Sequence, residues 1–321
     1  MSNTNALTPR ARHLAAALPA LALAALIAAC SGGPGVTTPP TNAPSSPPGT
    51  PAGPTPTPSS NPTPTFGEGQ IEHPTGATHV VLRMEQGGGF APIGAFATQA
   101  PTFTLYGDGG VIFQQIDNRG APFGTLANLP WLVGHLDEEG VQSLLQFALS
   151  TGRLANARDT YENNTCADCG STWFNLNAAG EEKVVTIHGL TEGDMPGVPD
   201  QADRAGFTQL ATVLREFQNQ DGLGDVTSYD AELYRVTTME AFGEPVGAPI
   251  EWPWDDLTRD NFPAGDEPGG MATLDAEHVA ELVQVPSGGH IGVWVLDPDD
   301  KPVVLSVRPL LPDEQAAVEA N

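Results

Sequence analysis

From Ser31 to Thr65 the chain consists almost entirely of Pro, Thr, Ser, Gly and Ala, with no aromatic residue and no charge. Such a segment cannot bury enough apolar surface to offset the entropy lost on ordering, and its prolines bias it toward extended polyproline II. It reads as a linker over residues 30–66 that can reach on the order of 100 Å when fully extended, at about 3.1 Å per residue. Folded structure is therefore expected only from residue 67 onward, with Phe66 as the first hydrophobic anchor.

The residues before the linker read as an export leader over residues 1–29. Arg10, Arg12 and His13 form a positive amino-terminal region. Leu14 to Ala29 is an apolar run broken by Pro19, too short and too interrupted to span a bilayer. The run ends in Ile27-Ala28-Ala29-Cys30, which resembles the lipobox of bacterial lipoproteins. The resemblance implies that the Cys30 thiol takes a diacylglyceryl group, that the leader is cut before it, and that the new amino terminus is open to further acylation, for example with palmitate. Two or three chains at about 0.8 kcal/mol per buried CH₂ hold a soluble domain on a membrane. The expected location is the extracytoplasmic face of the cell membrane, with the bilayer itself as a partner through Cys30. An ordinary secretory leader with a cysteine there by chance is the alternative.

Charge narrows the partners. The chain carries 13 Lys+Arg against 39 Asp+Glu, for a net charge of −26. Nucleic-acid binding needs a basic face that displaces counterions, and no basic run or stripe follows residue 30. No nucleic-acid partner is expected.

With Cys30 assigned to lipid, Cys166 and Cys169 remain. In an oxidising compartment a short disulfide is the default, and closing so small a ring stabilises the fold by about 2 kcal/mol. A redox motif would place the first cysteine at a helix amino terminus, where the dipole lowers its pKa. Here Asn163-Asn164-Thr165 precedes the pair, and Gly170 and a predicted strand follow it. Zinc would require two further ligands, and the histidines are scattered singly, with His188 the nearest in the expected fold. No metal and no cofactor is expected.

Period and turn chemistry predict an α+β fold. Thr78 to Glu85 reads as a strand, and Phe103 to Phe113 as a hairpin around Asp108-Gly109. Asp137 caps a helix with Val141, Leu144, Leu145 and Ala148 on one face, ended by Gly152. Trp173–Leu176 and Val184–Ile187 form a hairpin around Ala179-Gly180, and Phe207, Leu210, Leu214 and Phe217 mark a second amphipathic helix. The expected domains are residues 67–222 and a smaller one over 223–321. Leu136 to Gln146 aligns with Leu274 to Gln284, and Val185–Leu190 with Leu305–Leu310. The fold is therefore read as two related units, each of antiparallel hairpins packed with a helix. Chance likeness of capped helices followed by hairpins is the alternative.

Pro101 to Gly109, the Leu136-Asp137-Glu138-Glu139 helix and the Gly180 hairpin resemble an uncharacterised domain of exported bacterial lipoproteins of actinobacterial type. The likeness covers roughly residues 78 to 220. It implies no catalytic residue.

Trp252-Pro253-Trp254-Asp255-Asp256 sets two of the five tryptophans beside carboxylates. Exposed indoles stack on sugar faces while a carboxylate accepts hydroxyl protons, so Trp252, Trp254 and Asp255 are the candidate ligand-binding residues. Burial of both indoles beside Ile250 is the alternative. Asp297-Pro298-Asp299-Asp300 reads as a turn, and no stretch has the spacing of a calcium loop. Nucleophile-elbow, zinc-protease and phosphate-loop patterns are lacking. The expected role is a non-catalytic envelope binding or structural module whose partner is cell-wall carbohydrate or an envelope protein. The alternative is a wall-acting or carbohydrate-acting hydrolase using acidic residues.

Overall fold

A computed structural model of the chain describes residues 67–89, 99–114, 131–190, 197–241, 249–264, 269–283 and 292–320. The segment read as an export leader, Cys30 and the Pro/Thr linker lie outside the described residues. The fold is α+β, with four helices and thirteen strands in two mixed sheets among the described residues.

The first sheet has eight strands. These are β1 (Val80–Gly88), β2 (Phe103–Tyr106), β3 (Gly110–Gln114), β4 (Trp131–His135), β5 (Thr160–Tyr161), β6 (Gly170–Ala178), β7 (Glu181–His188) and β8 (Thr227–Ser228), in the order β5-β7-β6-β1-β2-β3-β4-β8. Every pairing is antiparallel except β5 with β7. The β2–β3 turn needs Gly109, whose φ is +91° and where a Cβ would stand 2.2 Å from the Leu136 carbonyl oxygen.

Helices α1 (Glu138–Leu149) and α2 (Gln201–Arg215) cover one face of this sheet. Asp137 caps α1 by accepting the Gly140 N–H at 2.9 Å, and Glu138 and Glu139 in the first turn complement the helix dipole. The predicted face, Val141, Leu144, Leu145 and Ala148, is buried. Gly152 follows because a Cβ there would lie 2.6 Å from the Ala148 oxygen. Leu82, Met84, Leu105 and Val111 rise from the sheet to meet the helices, and Phe217, in a short 3₁₀ turn after α2, packs on Phe103 and Phe113 with ring centroids 4.6 and 5.7 Å away.

The second sheet contains β9 (Leu233–Glu240), β10 (Ile250–Glu251), β11 (Gly270–Asp275), β12 (Val293–Leu296) and β13 (Pro302–Pro309), in the order β10-β12-β13-β9-β11. It packs against α3 (Ala276–Val283) through Val236, Val295, Leu305, Val279 and Leu282. A third apolar cluster, Tyr106, Ile112, Trp131 and Leu311, lies on the face of the first sheet away from α1 and α2. Leu311 immediately precedes the last helix, α4 (Pro312–Glu319), so the end of the chain is fastened onto the first sheet.

The two aligned segments agree locally and differ in placement. Asp137 caps α1, and Asp275 likewise accepts the His278 N–H at 3.0 Å at the start of α3. A hairpin follows each helix. In the first sheet the outgoing strand β6 pairs with β1, leaving β7 toward the edge; in the second the returning strand β13 pairs with β9 and is central.

Candidate functional site

The predicted tryptophan platform is part of the second core. Trp254 is only 8% exposed, its ring stacks on Phe262 with centroids 5.6 Å apart, and its Nε1–H donates to the His278 carbonyl at 2.8 Å. Trp252 meets Trp254 edge-on at 5.3 Å and donates to the Leu257 carbonyl at 2.6 Å. Both polar handles are satisfied internally, and the Trp254 faces are taken by protein. The Trp254 ring is therefore enclosed by protein, whereas Trp252 is half-buried against the same cluster. Asp255 is exposed beside them.

Cys166 and Cys169 form a disulfide with their Cα atoms 5.6 Å apart. His188, in β7, reaches the Cys169 carbonyl at 3.0 Å through Nε2. The turn Asp297–Asp300 connects β12 to β13 as expected. Its Asp297 carboxylate accepts the N–H groups of Asp299 and Lys301 at 3.0 and 2.8 Å, and Asp300 has φ +60°. Asp297 also faces Arg259 at 3.5 Å. These carboxylates thus build a turn.

A polar cluster with no sequence signature joins α4 to both sheets. Asp313 accepts from Arg83 Nη2 at 2.7 Å and from the Tyr106 hydroxyl at 2.8 Å. Glu314 takes two bonds from Arg308, at 2.6 and 2.7 Å, and one from the Leu311 N–H at 2.9 Å. Burial acts to raise the Glu314 pKa, but the Arg308 guanidinium outweighs it and the net shift is downward. Glu85, close to both acids, is pushed up by burial. Burial, reinforced by Asp313, holds the Tyr106 phenol far above its ordinary value. Arg83 pairs with Asp313 and Arg308 with Glu314, so the cluster fastens α4 to both sheets.

His278 lies between two carboxylates. Its Nδ1 is 2.8 Å from Asp275 and its Nε2 is 3.2 Å from Asp256. Both contacts are hydrogen bonds only when the ring carries two protons, and the Asp275 bond, followed by that to Asp256, raises its pKa. The pair ties the Trp254 loop to the first turn of α3.

Arg204, in α2, is 1% exposed and was equally invisible in the sequence. Its guanidinium donates to five main-chain carbonyls, those of Pro199, His188, Gly189, Tyr161 and Glu162, at 2.9 to 3.3 Å. It gathers the ends of β5 and β7 and the entry to α2. An open depression of about 310 Å³, lined by Ile71, Gln146, Leu149, Ser150, Arg153 and Asp203, lies near the other end of α1. Its volume is at the bottom of the range of ligand pockets.

The chain matches no protein-family model, no curated protein and no solved structure.

Proposed function

We propose that this protein is a lipid-anchored lipoprotein on the extracytoplasmic face of the membrane, whose folded region is a non-catalytic cell-envelope binding or structural module. The observation that carries the reading is the use of the three cysteines: Cys166 and Cys169 are joined to each other, as suits an oxidising compartment, and the third, Cys30, ends the lipobox-like Ile27-Ala28-Ala29-Cys30. The uncharged Pro/Thr linker that follows supports it by giving an anchored domain reach into the wall layer. The acidic surface supports it too, since a net charge of −26 repels the folded region from anionic headgroups.

Fatty-acid labelling in cells tests the anchor. The wild-type chain should take up labelled palmitate and sediment with membranes, and Cys30→Ser should lose the label and appear in the soluble fraction. Label that survives Cys30→Ser defeats the assignment. Co-sedimentation with isolated wall material, with released products followed in the same tubes, tests the module. Saturable retention without product is expected, and steady release of fragments would establish a hydrolase instead.

A further inference from the structure

Building on the anchored-module reading, we propose that the outer face of β6 and β7, centred on Trp173, binds an uncharged, hydroxyl-rich oligosaccharide. Along β6, Thr172, Phe174, Leu176 and Ala178 are buried on the helix side, so Ser171, Trp173, Asn175 and Asn177 lie on the opposite face. Along β7, Val185 and Ile187 point inward, leaving Glu182, Val184, Thr186 and His188 outside, with Glu182 at the far margin opposite Asn177. The register sets Trp173 opposite Thr186 on one side and Glu85 on the other, and Asn175 between Val184 and Arg83.

Leu311 and α4 cover this face of the sheet over β2, β3 and β4 and reach Arg83 of β1. Beyond that edge, over β6 and β7, the described residues leave the surface half open. Trp173 is partly exposed, Val184 is 51% exposed, and the Trp173 indole N–H makes no hydrogen bond to any described residue. This is the reverse of Trp252 and Trp254, whose N–H groups are both occupied.

The occupant follows from charge and from donor and acceptor chemistry. On a chain with 39 acidic residues, the outer positions of β6 carry no charge at all. Arg83 at their border is paired with Asp313, and the only carboxylates on the described part of this face, Glu85 and Glu182, stand at its margins on β1 and β7. A polyanion is repelled by the chain as a whole, and a purely apolar partner would leave the amides of Asn175 and Asn177 and the hydroxyls of Ser171 and Thr186 unpaired. A neutral pyranose chain meets both demands. Its C–H faces lie on the indole and Val184, and its hydroxyls exchange hydrogen bonds with side chains spaced about 7 Å along a strand and 4.8 Å across strands.

The test uses the full chain in mild detergent, titrated with chitotetraose and with cellotetraose by calorimetry and tryptophan fluorescence. At least one sugar should bind saturably. Trp173→Ala should weaken it tenfold or more, Trp173→Tyr should restore part of the loss, and Asn175→Ala should cost severalfold. Should Trp173→Ala lose its near-ultraviolet circular dichroism, Asn175→Ala and Thr186→Ala decide the question by the same criterion. Absence of saturable binding to both sugars, or binding unchanged within twofold in the side-chain variants, overturns the proposal. Palmitate labelling of Cys30 is read separately, so failure of the anchor and failure of the sugar site are distinguishable.

Discussion

Replacing Arg204 gives the sharpest test of how the first sheet is held together. The guanidinium satisfies five carbonyls from three segments, and two of those bonds, to Gly189 and Tyr161, are buried at both ends. Arg204→Met orphans those two buried acceptors at about 1–3 kcal/mol each, while the three carbonyls nearer the surface regain water. Relief from holding a buried cation offsets part of the loss. The net cost expected is about 3 kcal/mol. Arg204→Lys keeps the charge but supplies three donors in place of five, so it leaves carbonyls unpaired and should cost about 2 kcal/mol. Equilibrium urea unfolding, followed by tryptophan fluorescence, reads both values as a lower midpoint at unchanged slope. For a body of this size the methionine variant should melt roughly 6–12 °C lower. The reasoning fails if lysine matches wild type, since charge alone would then suffice, or if methionine costs less than about 1 kcal/mol, since the carbonyls would then be hydrated in any case.

Other perturbations follow from the same geometry. Trp254→Ala should destabilise the second sheet by about 3–5 kcal/mol, as loss of a packed aromatic does, seen as a lowered urea midpoint. Replacing Cys166 and Cys169 together by serine should cost about 2 kcal/mol and leave the far-ultraviolet circular dichroism intact, because the ring closed is small. The His278 pKa is raised in the folded state, so the stability it contributes is fully present below about pH 6.5, the unfolded value, and is lost as pH rises through the folded pKa. His278→Gln should flatten that fall in melting temperature between pH 6.5 and 9, and an NMR titration of His278 in wild type should give a midpoint above 6.5. A midpoint at or below 6.5 would contradict the two-carboxylate arrangement.

Local order was legible from the residues alone wherever it rests on neighbouring positions. The β2–β3 hairpin around Asp108-Gly109, the Asp137 cap with the buried face of α1, the β6–β7 hairpin at Ala179-Gly180 and the Asp297–Asp300 turn all lie where period and turn chemistry put them. A cap or a tight turn depends on backbone geometry within about four residues, so its sequence signature is local. Domain-scale organisation was less accessible. The linkage of Arg83 to Asp313 spans 230 positions, and no local pattern marks two residues that meet so far along the chain. The same holds for the five carbonyls around Arg204, since acceptors on the main chain leave no trace in residue identity.

Aromatic residues show the division most clearly. By residue type alone, Trp252 and Trp254 beside Asp255 resemble a binding platform more than Trp173 does, in the middle of an alternating strand. Tertiary packing decides their exposure: α3 and Phe262 enclose the Trp254 ring, while the strand alternation of β6, set against α1 and α2, turns Trp173 to the face those helices leave open. Residue identity and period determined which segments become helix, strand and turn, because those rest on local backbone energetics. Which side of each element meets protein and which meets solvent was decided only when the sheets acquired their partners, because burial belongs to the assembled fold and not to any one segment.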